Sequence, residues 1–288
     1  MLKNSIKFSL ILTAVFLTFG CQQKQKTADS NTADSPAKDS IVTTTNEDVI
    51  AFGFLDSLGK HILTLDQDSL PHPEQYNLVL NEQGKESPVQ YKGFQKSTDG
   101  DNGRQTADNF DKSAGFLYQL KENKLTSSAV AVVLTDNAFL SSRKVLIPHN
   151  AKDASAMPAA VQKLVTAKHR KVKNFKNIAQ FDEKTLISIV EFEVKNDSAL
   201  AVLVYSSPEK TITQEYKAKY DDISTWRVDD GGEFNMDYTD ILYAFVHNGN
   251  IELVLSDMGA EGYNVTYLKE QAGVFVVAKE SYGYSAPF

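Results

Sequence analysis

The residues with the clearest chemical potential lie between Asp221 and Asp240. The stretch DDISTWRVDDGGEFNMDYTD gathers Asp221, Asp222, Asp229, Asp230, Glu233, Asp237 and Asp240 around Trp226, the only tryptophan of the chain, with Arg227 as its sole cation. Acidic side chains on a glycine-bearing loop can surround calcium, which takes roughly six to eight oxygen ligands. Asp229 and Asp230, next to Gly231 and Gly232, are the calcium candidates. A tryptophan flanked by carboxylates also suits a sugar, whose ring stacks on the indole while its hydroxyls donate to the acids. The same composition describes a solvated acidic loop whose tryptophan plugs a core. The candidate binding loop is therefore Asp221, Asp222, Trp226, Arg227, Asp229, Asp230, Glu233 and Asp237.

No spacing sharpens these readings. The EF-hand order of acids leading to an invariant glycine is absent from this stretch, and STDGDNGRQTADNFD places Arg104 where that glycine belongs. Paired carboxylates run glycoside hydrolysis, one as acid and one as base or nucleophile, and the chain has acids enough for that without marking a pair. The five histidines are scattered, with no His-Glu-x-x-His. No Gly-x-Ser-x-Gly elbow occurs, and Ser-x-x-Lys, as at Ser141 to Lys144, recurs without the other elements that accompany it in enzymes.

Only one cysteine is present, Cys21, where the apolar run FSLILTAVFLTFG gives way to polar sequence. Lys3 and Lys7 precede the run, a layout typical of a secretory signal peptide. A membrane-spanning helix needs roughly 20 apolar residues, more than this run supplies. Gly20 followed by Cys21 resembles the bacterial lipoprotein signal, in which a small residue precedes a cysteine that becomes the lipidated first residue. The usual leucine and small residue ahead of it are Thr18 and Phe19 here, with Leu17 one step early. The resemblance implies lipidation at Cys21, attachment to the membrane through the lipid, and, from Gln22 in the sorting position, the outer membrane. That is a cell-envelope protein, periplasmic or surface-facing. It covers about the first twenty residues and is silent on the rest. Cysteine arithmetic agrees, since a lone cysteine closes no internal disulfide and lipidation consumes it.

Stepping along the chain, QQKQKTADSNTADSPAKDSIVTTTNED repeats Thr-Ala-Asp-Ser and carries Ile41 and Val42 as its only large apolar residues. Such composition cannot offset the entropy of ordering. The expected organisation is a signal peptide over 1–20, a lipidated N-terminus and disordered tether over 21–48, and a globular region over 49–288, as one domain or as two lobes divided near 150–180. As a flexible coil the tether reaches on the order of 30 Å. The formal charge of −7 argues against a nucleic-acid partner.

The elements that must position any site are mostly strands. TLISIVEFEVKNDSALAVLVYSS reads as a hairpin turning at Lys195 to Ser198, and DILYAFVHNGNIELVLS as a second, because Asn248-Gly249 supplies the positive φ angles of a tight turn. YNVTYLKEQAGVFVVAKES adds two more strands, and VIAFGFLDSLGKHILTL and SSAVAVVLTDNAFLSSRKVLIP read as interrupted strands. One helix is expected from about Pro158 to His169. The basic run Lys163, Lys168, Arg170, Lys171, Lys173 and Lys176 reads first as a solvated helix end and exposed strand, and second as a patch for anionic lipid.

The fold class is therefore β-rich, a mainly antiparallel sheet with at least one helix (all-β or α+β), with sandwich, open sheet and propeller-like arrangements all open. Charges along one face of VEFEVK and QEYKAKY argue against a lipid-facing barrel. The function expected is an outer-membrane-anchored lipoprotein carrying a non-catalytic binding or assembly domain, its partner an envelope protein or glycan, with no cofactor beyond calcium. The alternative is a glycan-active hydrolase using a carboxylate pair.

Overall fold

A computed structural model describes residues 48–67, 69–121, 125, 130–221, 234, 236–259 and 261–286. Strands β1 (Ile50–Leu55), β2 (His61–Thr64), β3 (Leu78–Leu80), β4 (Glu86–Gln95), β5 (Gly115–Leu120) and β6 (Val132–Thr135) close into an antiparallel barrel in the order β1-β2-β5-β4-β3-β6. Closure removes the unpaired edges that an open six-stranded sheet would present. Ala51, Ile62, Val79, Val89, Tyr118 and Leu134 fill one buried cluster of the barrel.

The run between barrel and second sheet is not all strand. Asp136 accepts a hydrogen bond from the Phe139 amide at 2.7 Å and caps a one-turn helix, α1 (Asn137–Ser141). This cap resolves the ambiguity of NAFLS, a short apolar segment with no period of its own. After it come β7 (Lys144–Leu146) and α2 (Ala159–Lys168), which starts after Pro158 and ends at His169 in the left-handed conformation. The changeover from barrel to sheet thus lies between Thr135 and Lys144, ahead of the stretch 150–180.

The second sheet takes β7 together with β8 (Val172–Gln180), β9 (Leu186–Lys195), β10 (Ser198–Ser206), β11 (Thr211–Lys219), β12 (Thr239–His247), β13 (Asn250–Met258), β14 (Gly262–Gln271) and β15 (Val274–Tyr284), in the order β7-β12-β13-β14-β15-β11-β10-β9-β8. Three of its hairpins turn on two residues. Asn196 and Asp197, Asn248 and Gly249, and Ala272 and Gly273 all take positive φ, the twist that a two-residue hairpin turn requires. All neighbours are antiparallel except β11 and β15, which run parallel and meet at one residue pair, Thr213 with Val274.

The sheet curls until its ends meet. His149, just past β7, exchanges both backbone hydrogen bonds with Gln180 of β8, at 2.9 and 2.8 Å. Its inner face is an apolar cluster running from Ala179 through Ile189, Leu203, Ile212 and Leu253 to Phe275. Its outer face is covered twice. Helix α2 lays Val161 on Val190, Phe192, Val202 and Val204. The barrel covers the other half, where Tyr243, Phe245, Val254, Val265 and Tyr267 join Phe52, Phe54, Leu63, Leu80 and Val133 in one cluster. Cover on both faces explains why β9 departs from the expected alternation of a half-buried strand: Ile187, Ile189, Val190 and Phe192 are all buried.

Polar pins set the docking of barrel on sheet. Arg143, 2% exposed in its side chain, donates to both carboxylate oxygens of Glu252, at 2.7 and 3.3 Å, and to Asp48 at 2.8 Å. Its guanidinium lies 3.8 Å from the Phe139 ring centroid. Tyr267 donates to Glu252 at 2.7 Å, and Lys269 pairs with Asp48. Against the desolvation that burial imposes, Lys269 and Arg143 hold the Asp48 carboxyl below its ordinary value. Elsewhere Tyr243 donates to the Leu80 carbonyl at 2.9 Å and Ser281 to Asp66 at 2.7 Å. Each buried apolar side chain contributes roughly 1.5–3 kcal/mol and each neutral hydrogen bond roughly 1, so the apolar cluster supplies the stability and the pins fix the orientation.

Candidate functional site

Beyond Thr213 and Val274, β11 and β15 part, and a cavity of about 320 Å³ opens against the inner face of the sheet. Gln214 and Tyr216 line it from β11, and Val277 and Glu280 from β15. Its floor is apolar, with Leu255 and Leu268 each about 1% exposed. Phe234 and Tyr238 complete the wall. The Phe234 ring lies 5.4 Å from that of Tyr216, tilted by 42°. Tyr238 and Val277 remain about half exposed, at 48% and 53%, as fits the rim of an opening.

Strand register explains the polar groups. Asp257 stands opposite Thr239 on β12 and Asn264 on β14, and one row further on Leu255 stands opposite Thr266, which in turn faces Glu280. Side chains of every second residue share a face, so Leu253, Leu255 and Asp257 point the same way and the strand ends its apolar row on a carboxylate. Asp257 accepts a hydrogen bond from the Thr239 hydroxyl at 2.5 Å. Burial among the cavity walls pushes its carboxyl up to about 6. The Thr239 bond works against this rise, and the charges of Glu280 and Asp240 add to it. Burial likewise pushes the Tyr216 phenol up, with Asp257 and Glu280 contributing, which places that hydroxyl within the field of both acids. Among the described residues no lysine, arginine or histidine lines the cavity.

The sequence-derived loop adjoins this cavity at its C-terminal end, through Phe234, Tyr238 and Thr239. Asp221 follows β11 and is exposed. Asp237 lies in the 3₁₀ turn Met236–Tyr238, where Lys176 pairs with it. Asp222, Trp226, Arg227, Asp229, Asp230 and Glu233 lie outside the described residues, and with them the calcium candidates Asp229 and Asp230. Among the described residues, no group of three or more His, Cys, Asp or Glu is arranged to hold a metal ion. Cys21 also lies outside them.

Two other sequence candidates find ordinary partners. In STDGDNGRQTADNFD the buried Asn109 amide donates to Asp101 at 2.8 Å, to the Arg104 carbonyl at 2.9 Å and to Ser113 at 2.8 Å, so this acidic loop is cross-braced by its own side chains. In the basic run Lys168 pairs with Glu215, Lys171 with Glu193, Lys173 with Glu191 and Lys176 with Asp237, while Arg170 donates to the Ser198 carbonyl. Four of the six cations thus sit beside acids, three of them on strands of the sheet and one in the 3₁₀ turn.

Asp257, Glu280 and Tyr216 are site residues that pattern reading passes over. The signal for Asp257 was present, an acid at the position of IELVLSD where the row Ile251, Leu253, Leu255 calls for an apolar side chain. Tyr216 and Glu280 carry no such mark. Chemically, the arrangement can seat a small molecule with an apolar body and a hydrogen-bonding or positively charged head. Comparison with family models, curated proteins and solved structures yields no match to this chain.

Proposed function

We propose that this chain is an outer-membrane-anchored lipoprotein of the cell envelope whose folded region is a non-catalytic binding module, with its ligand seated in the cavity between β11 and β15. The anchor reading rests on the apolar run ending at Gly20-Cys21. The binding reading is carried by one observation: Asp257, a carboxylate raised to about 6 by burial, faces a cavity without a cation among the described residues. An ionised group in that position lowers stability, and proteins retain such groups where a ligand needs them.

Two experiments test the two halves. Cys21→Ser should move the full chain from the membrane fraction to the soluble fraction, and a chain that stays in the membrane would refute lipid anchoring. Val277→Trp places a large ring at an already exposed rim position, so the fold should tolerate it while the mouth closes. Native mass spectrometry of the wild-type chain purified from envelope should show a stoichiometric small-molecule adduct that Val277→Trp lacks. Equal adduct occupancy in both proteins would remove the cavity from consideration.

The pairing of Asp257 with Glu280 in one cavity favours a second reading, a glycan hydrolase. A carboxyl raised to about 6 can act as general acid while a second carboxylate activates water. Release of reducing ends from envelope polysaccharide, lost in both Asp257→Asn and Glu280→Gln, would decide for it.

A further inference from the structure

Resting on the binding reading, we propose that the cavity between β11 and β15 selects an organic ammonium: a small cation whose apolar body lies on Leu255 and Leu268 and whose charged head meets Asp257 beside the rings of Tyr216 and Phe234.

Charge complementarity is the first argument. The lining carries two acids, Asp257 and Glu280, with Asp240 close enough to act on Asp257. Four lysines nearby are engaged elsewhere: Lys176 with Asp237, Lys210 with Glu270, Lys217 with Glu215 and Lys279 with Asp66. A carboxylate partly desolvated in a cavity, with no cation beside it among the described residues, is a site for a cation, because pairing returns the interaction that desolvation removed.

The kind of cation follows from the other walls. A hydrated metal ion wants several oxygens around it and gains nothing from an apolar floor. Leu255, Leu268, Met258 and Val277 supply that floor, and aromatic faces attract ammonium groups through their quadrupole. The cavity has room for about ten waters by liquid volume, which suits an arylalkyl or short alkyl amine rather than a polymer chain.

The two acids divide the task by position. Asp257 stands opposite Asn264 and Glu280 opposite Thr266, two positions further along β14, so their Cα atoms are roughly 12 Å apart across two strand spacings. One ammonium therefore meets Asp257 inside, while Glu280, exposed at the mouth, draws cations toward the opening.

Binding should also respond to pH. The groups facing Asp257 are Thr239, which donates to it, Glu280 and Asp240, whose charges oppose its ionisation, and the Tyr216 phenol. As pH falls through about 6 the Asp257 carboxyl takes up a proton and the ammonium loses its partner, while an alkylamine stays protonated throughout.

The test is calorimetric titration of the full chain in detergent with three probes of one shape: 2-phenylethylammonium, 2-phenylethanol and 3-phenylpropanoate. At pH 7.5 the ammonium should bind at least tenfold more tightly than the alcohol, and the carboxylate more weakly than either. Asp257→Asn should erase the advantage of the ammonium while leaving the alcohol unchanged, Glu280→Gln should reduce it severalfold, and lowering the pH to 5 should shrink it in the wild type alone. Alcohol binding as tight as ammonium binding would overturn the inference and leave the cavity reading standing. Absence of binding by all three, with Val277→Trp indistinguishable from wild type, would overturn both.

Discussion

Replacing Asp257 with asparagine keeps the side-chain volume, leaves an oxygen to accept the Thr239 hydrogen bond and deletes only the charge. The native carboxyl is raised from 3.8 to about 6, and each unit corresponds to about 1.4 kcal/mol, so ionising Asp257 at neutral pH costs the fold about 3 kcal/mol. Because the carboxylate keeps part of its surface open to the cavity, about 2 kcal/mol is the expected net effect. The sign follows from linkage. An acid with a raised folded pKa binds its proton more tightly in the native state, so stability rises as pH falls from about 7 toward 4 and the gain is complete below the unfolded value. The variant has no such dependence. It should therefore be more stable than wild type by about 2 kcal/mol at pH 8, with the difference falling to about a third of that by pH 4.5 and vanishing below the unfolded value. For a region of this size that is an increase in Tm of about 4–8 °C at pH 8. Asp48, held low by Lys269 and Arg143 against desolvation, withdraws stability only as pH falls below about 4, and does so in both proteins, so the difference isolates Asp257. Urea denaturation of both chains at pH 8, 6 and 4.5 makes the measurement. A variant equal to or weaker than wild type at pH 8, or a difference that persists unchanged into acid, would refute the account of Asp257 as an uncompensated charge.

Two further outcomes follow from packing. Arg143→Met keeps a long side chain over Phe139 but leaves Glu252 buried without its cation, and should destabilise by about 3–5 kcal/mol in urea; Arg143→Met with Glu252→Gln should recover part of the loss. Gly283→Ala would put a Cβ 2.3 Å from the Tyr263 ring, displacing the tyrosine that donates to the Gln105 carbonyl of the barrel side. A loss of about 1–3 kcal/mol by thermal denaturation is expected, and an unchanged midpoint would show that the ring moves freely.

Local chemistry made much of the fold readable. Asn248-Gly249 announces its hairpin because few other dipeptides accept two positive φ angles in succession, and Pro158 and His169 bracket α2 closely. Closure was not readable. The pairing of β1 with β6, of β7 with β12, and the one-residue meeting of β11 with β15 join segments far apart in sequence, and periodicity carries no information about which strand lies beside which. Strands covered on both faces, β9 above all, also lose the alternation on which face assignment depends. The candidate site was legible only at its margins for the same reason. An acidic stretch announces itself by composition, whereas Tyr216, Asp257 and Glu280 become neighbours only when β11 and β15 part in a curled sheet.

The Arg143 pin has a mechanical meaning. It grips Asp48, two residues ahead of β1, and β1 itself is held on both sides, by β2 and by β6. A pull on the segment preceding Asp48, directed along β1, must first break the ion pairs of Asp48 with Arg143 and Lys269. It must then shear two ladders of hydrogen bonds at once, since neither neighbour can peel away from a closed ring strand by strand. Resistance of this kind is set by the rate of forced rupture and not by equilibrium stability. A weakened Asp48 grip would therefore show itself under tension before it showed itself on heating.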